Sequence, residues 1–131
     1  MNVKRGDFVG KEKLYNILLS DDIITAINYN LDDILNLIPE IKDIIGFEHK
    51  HPHHHLDVWN HTLLALSYSP KDFDIRLVLL LHDIGKPYSC QDGAIRDFRG
   101  HSKVSADMSY NILKRLNFSN DEIFKLCYLI E

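Results

Sequence analysis

The chain has 131 residues, 45% apolar and 26% charged, and a net charge of −4 with its eight histidines neutral. That size and mixture suit one soluble domain and leave no room for a second sizeable one. The acidic balance argues against general DNA binding or an anionic membrane surface, which require a basic excess, but not against a local basic patch beside a nucleotide or RNA end. The N-terminus MNVKRGDFVGKEK lacks an apolar core of signal-peptide length. Apolar runs such as Leu77 to Leu81 are too short to cross a bilayer. Cys90 and Cys127 have no metal-type spacing and read as free thiols. Together these features predict a cytoplasmic protein.

In chain order, Leu14, Ile17 and Leu18 have helical spacing, as do Leu31, Ile34, Leu35 and Ile38, with Ile23, Ile24 and Ile27 between them. Asp21 or Asp22 can cap the middle segment. Pro39 restarts the chain into a short amphipathic stretch with Ile41, Ile44 and Ile45, which Gly46 ends. Residues 47 to 56 read as a polar loop. A helix follows from about Asp57 to Ser67, and Ser69-Pro70 reads as a turn and helix start. The segment Asp74 to Ile84 is apolar nearly all round, as a helix buried at the centre of a fold would be, and Gly85 and Pro87 stop it. Residues 88 to 100 form a loop. A further helix runs from His101 or Ser102 to about Leu116, and a Ser119-x-x-Glu122 capping box opens the last one. No alternating strand pattern occurs. The expected fold is all-α, a single domain over residues 1–131 with about six or seven helices.

The chemical anomaly is His82-Asp83, two polar residues ending the most apolar helix. A buried carboxylate without a partner costs several kcal/mol or neutralises itself. A divalent cation removes that cost. Adjacent helical residues point roughly 100° apart, so further ligands must come from other helices. His61, mid-helix beside Trp59, Leu63 and Leu64, is one candidate, and His101, at a later helix start, is another. Imidazole with carboxylate suits Mn, Fe, Co, Ni or Zn. Plainer readings stay open at this point: a lone helical histidine is usually packed with an ordinary hydrogen bond, and an aspartate often pairs with a lysine or caps a turn.

The string His82-Asp83-Ile84-Gly85-Lys86-Pro87 after an apolar helix resembles the signature of the HD superfamily of metal-dependent phosphohydrolases. HPHHHLDVWNHTLLAL (51 to 66) is similar to the segment carrying that family's first histidine, which falls on His61. DFRGHSKVSADMSYNILKRLNFSNDEI (97 to 123) looks like the corresponding part of HD domains linked to tRNA nucleotidyltransferases, the CCA-adding enzymes. The resemblance covers roughly Ile45 to Ile130. It implies His61, His82 and Asp83 as metal ligands, with Asp83 and Lys86 as catalytic residues, Lys86 meeting a phosphate. It implies His101 and His54 as positions for a second metal or the substrate. Asp57, like His54, aligns with a polar position near the family's site, whereas His49, His51, His53 and His55 are expected in a solvated loop. The family completes its site with a distal aspartate, preceded by another histidine in the nucleotidyltransferase-linked type. No aspartate follows Asp121 here, so the resemblance implies a core cut short on its C-terminal side, as a fragment or a shortened member.

The expectation is therefore an HD-like bundle, with residues 1–45 as N-terminal packing helices and 46–131 as the core bearing the site. It would act as a phosphohydrolase on a 2',3'-cyclic phosphodiester or phosphomonoester of a nucleotide or RNA end, with a divalent metal (Mn, Ni, Co, Fe or Zn, or Mg). The competing expectation is a non-catalytic HD-type module that binds a nucleotide or RNA.

Overall fold

The structure is a computed structural model and describes residues 5–50, 56–90 and 98–131, with side chains from residue 10 onward. Its elements are α1 (Arg5–Leu18), α2 (Ile23–Tyr29), α3 (Leu31–Leu37), a 3-10 turn (Pro39–Asp43), α4 (Val58–Ser67), α5 (Phe73–Leu81), the one-turn α6 (Lys86–Ser89), α7 (His101–Arg115) and α8 (Asn120–Ile130). The fold is all-α. Among the described residues the only β-type pairing is an isolated bridge between Glu48 and Asp57.

Most helix starts follow from local chemistry. The Asp22 carboxylate accepts from the backbone N–H and hydroxyl of Thr25, capping α2. Asp72 does the same for α5 by accepting from Ile75 N. Pro70 lies outside α5, so the expected proline start gives way to an aspartate cap. Ser119 and Glu122 exchange side-chain bonds with each other's backbone N–H, completing the capping box of α8. Gly46, at φ 79°, and Gly100, at φ 77°, take the left-handed turns that end the 3-10 segment and open α7.

The core joins isoleucines from the first third, Ile27, Ile34, Ile38, Ile41 and Ile44, to Leu66 of α4 and Leu77, Leu80 and Leu81 of α5, all fully buried. Helix α5 is central and packs against α1, α4, α7 and α8. At its N-terminal end the buried Arg76 donates to Leu18 O, Ser20 O, Ser69 Oγ and Ser69 O. It thereby occupies carbonyls that the end of α1 leaves without helical partners. At the other end α5 stops at Leu81, three residues before the expected Ile84. Beyond it the chain tightens into three-residue turns, with Ile84 N on Leu81 O and Lys86 N on Asp83 O. The Gly85 N–H is taken by Ser105 Oγ of α7 at 2.8 Å. A long-range partner thus ends the ladder.

Candidate active site around Asp83

The turn after α5 faces the start of α7, and close packing holds them together. A Cβ on Gly85 would lie 2.5 Å from Ser105 N and 2.8 Å from His101 O, both backbone atoms. Only glycine lets the two segments approach this closely, and the approach brings His101 to Asp83.

Asp83 is 3% exposed. His82 Nε2 lies 3.1 Å from its Oδ2, Lys86 Nζ 3.3 Å from the same oxygen, and His101 Nε2 3.2 Å from Oδ1. Burial raises the Asp83 carboxyl, but the hydrogen bond and charge of His82, then the charges of Lys86 and His101, outweigh it. The group stays ionised, well below the usual carboxylate range. Burial lowers the His82 imidazole, the Asp83 hydrogen bond and charge raise it, and the net shift is upward.

The tautomers follow from the backbone. His82 Nδ1 lies 2.5 Å from Leu79 O, and His101 Nδ1 lies 3.1 Å from Phe98 O. A carbonyl only accepts, so each Nδ1 carries a proton and each Nε2 turns toward the carboxylate. A bare Nε2 lone pair against a carboxylate would be repulsive. The arrangement is satisfied when Nε2 is protonated or when a cation takes up both donors. Ligand atoms about 2.1 Å from one ion and at right angles to each other lie about 3.0 Å apart. The separations of 3.1 and 3.2 Å match that spacing. Imidazole with carboxylate also suits a divalent transition ion. The two imidazoles face different oxygens, however, and among the described residues no group of three or more His, Cys, Asp or Glu is arranged to hold a metal ion.

His61, on α4, reaches this cluster through a neighbour. Its ring meets that of His49 edge-on at 5.5 Å. His54 lies outside the described residues, as do His51, His53 and His55.

One expectation needs correction. His49, assigned to a solvated loop, is 2% exposed. Its Nδ1 lies 2.8 Å from Leu56 O and its Nε2 lies 3.0 Å from Lys86 Nζ. Phe98 closes this side, 5.8 Å from the His49 ring and 5.5 Å from Lys86 Nζ. Asp57 caps α4: it accepts from Asn60 N at 2.6 Å and from Gly46 N at 2.7 Å. An aspartate just before an apolar helical run is an ordinary cap signature, so that role was available in the sequence. His49 carried no such local mark.

An all-helical chain with a buried aspartate between imidazoles at a His-Asp turn defines a recognisable class. The HD domain family profile matches residues 52–129, and the chain belongs to that family, within a superfamily of metal-dependent phosphohydrolases. It is 30% identical over 133 residues to the A-adding tRNA nucleotidyltransferase of Deinococcus radiodurans. It is also 30% identical over 132 residues to the CC-adding tRNA nucleotidyltransferase of Thermus thermophilus. Each alignment covers 92% of this chain and 30% of the relative, so the chain spans less than a third of the length of these proteins. No solved structure matches. No helix among the described residues is long and apolar enough to cross a membrane.

Proposed function

We propose that the chain is a metal-dependent phosphohydrolase acting on a nucleotide or RNA-end phosphate ester, either a 2',3'-cyclic phosphodiester or a phosphomonoester. The observation that carries the proposal is the buried, ionised Asp83 with His82, Lys86 and His101 around it. His61, His82 and Asp83 are the proposed ligands of a divalent metal (Mn, Ni, Co, Fe, Zn or Mg), and His101 and His54 the proposed positions for a second metal or the substrate. A bound ion would supply a water of lowered pKa and a Lewis acid for a phosphoryl oxygen.

The chain's own groups supply the rest. Ionised Asp83 only accepts, so its oxygens orient the attacking water and take its proton. The Lys86 ammonium balances negative charge growing on the phosphoryl oxygens, and the His101 imidazole does so from the opposite side of Asp83. The RNA-end substrate class draws on the tRNA nucleotidyltransferases among the relatives.

The test is metal content by elemental analysis, followed by hydrolysis of 2',3'-cyclic nucleotides and nucleoside monophosphates by wild type and Asp83→Ala. About one metal per chain and hydrolysis that Asp83→Ala abolishes support the proposal. Stoichiometric metal with no hydrolysis of any phosphate ester defeats it. That result would favour the second reading, a non-catalytic nucleotide- or RNA-binding HD module.

A further inference from the structure

His49 is the buried group nearest the cluster around Asp83 to which neither the sequence pattern nor the family resemblance gives a role. Its ring bridges a backbone carbonyl and the Lys86 ammonium. Leu56 O only accepts, so the His49 proton sits on Nδ1. Lys86 Nζ only donates, so Nε2 must be the acceptor. A proton on both nitrogens would set two cations 3.0 Å apart. Both contacts together therefore select one neutral tautomer.

We infer that His49 is a positioning residue that aims the Lys86 ammonium at a phosphate while leaving its charge unspent. This rests on the proposed phosphohydrolase reading and on the role of Lys86 within it. A lysine carries four flexible methylenes, and fixing it costs up to about 2 kcal/mol of rotamer entropy. The Nε2 acceptor holds one N–H, Asp83 Oδ2 lies by a second, and the Phe98 face bounds the site on one side. A carboxylate in place of His49 would hold the ammonium as well but would cancel its charge. A neutral acceptor fixes direction without neutralising. Lys86 thus faces one shared carboxylate, which His82 and His101 also contact, and one neutral partner. That balance leaves net positive charge for a phosphoryl oxygen.

The test is calorimetric binding of inorganic phosphate to the full chain, with manganese titrated first so that wild type and variants are compared at equal loading. Lys86→Met should weaken binding about tenfold, the loss of one charge-assisted contact. His49→Phe should weaken it similarly, and the double variant should be no weaker than Lys86→Met alone. A double variant weaker by the product of the two losses means that His49 acts independently of Lys86, which overturns the inference. So does a His49→Phe variant that binds as wild type does. Should His49→Phe fail to fold, His49→Gln and His49→Glu decide. Both can accept from Nζ, but only glutamine is neutral, so glutamine should recover most of the affinity and glutamate should not. Equal affinities overturn the inference. The underlying reading fails separately, and takes this inference with it, if manganese-loaded wild type does not bind phosphate or if Lys86→Met binds it normally.

Discussion

The two ends of α5 each bury a cation, and they use it in opposite ways. Arg76 spends its guanidinium on neutral acceptors from two stretches of chain, Leu18 with Ser20 and, far along the sequence, Ser69. Its planar fork meets backbone and hydroxyl oxygens that would otherwise be buried without partners, and the arrangement is closed. Lys86 instead meets a carboxylate that it shares with two imidazoles, and a histidine acceptor. Every partner there can itself titrate or bind a cation. The first end closes on neutral oxygens and the second gathers titratable groups, although the same apolar helix supports both.

Substitutions ordered by their expected effect on stability can sharpen or break this contrast. Arg76→Met should be the most damaging, at about 4 kcal/mol, because several buried carbonyls lose their donor at once. Denaturant unfolding would measure it, and metal content per folded molecule should not change. If Arg76→Met costs under about 1 kcal/mol, Arg76 is not a structural staple.

Gly85→Ala comes next, at about 2 kcal/mol, because the added methyl meets backbone atoms of α7 that cannot step aside cheaply. It should also separate His101 from Asp83 and so lower phosphate-ester hydrolysis. Equal hydrolysis per folded molecule in Gly85→Ala and wild type would show that the turn and α7 need not touch for activity.

Asp83→Asn should cost about 1.5 kcal/mol in metal-free protein near neutrality, since charge-assisted hydrogen bonds to a buried group are lost. The pH dependence has a definite sign. The folded Asp83 carboxyl is depressed from its ordinary 3.8, so its contribution is full above that value and fades as pH falls below it. The folded His82 is raised from 6.5, so its contribution is full below 6.5 and fades as pH rises through the folded value. The stability gap between wild type and Asp83→Asn should therefore be widest from about pH 4 to 6.5 and close on the acid side. Thermal melts at a series of pH values would show it, and a gap independent of pH would mean that the His82–Asp83 pair does not form.

What the sequence could show of this contrast depended on the range of each contact. The all-round apolar run of α5, the capping box at Ser119 and the turn at Gly46 were legible, because neighbours in sequence cause them. The His-Asp turn was legible as a pattern, and it supplies His82, Asp83 and Lys86, which His101 joins from α7. The length of α5 was not, because Ser105, twenty residues later, takes the Gly85 N–H. Burial of His49 was hidden for the same reason. Inside a run rich in histidines it looked solvated, yet Leu56 and Lys86 hold it from two different segments. The role of Arg76 is equally unmarked in the sequence, since an arginine on an apolar helix shows its carbonyl partners only in three dimensions. Short-range chemistry wrote the elements, and long-range contacts wrote the site.

Lys86→Met applies the substitution used for Arg76 to the other buried cation and should have the smallest effect on stability, within about 1 kcal/mol of wild type in either direction. Methionine fills a similar volume. Asp83 keeps both imidazoles, and His82 loses a repulsive neighbour, because the Lys86 charge works against its protonation. The lost attraction to Asp83 and the relieved repulsion of His82 oppose each other. At Arg76 the hydrogen-bond partners are all neutral oxygens, so no relieved repulsion among them offsets the loss. Matched unfolding curves for the two methionine variants therefore read the difference between the ends of α5 directly. A loss at Lys86 as large as that at Arg76 would mean that the ammonium is a structural staple as well, and that its place beside Asp83 and His49 reflects packing rather than a held charge.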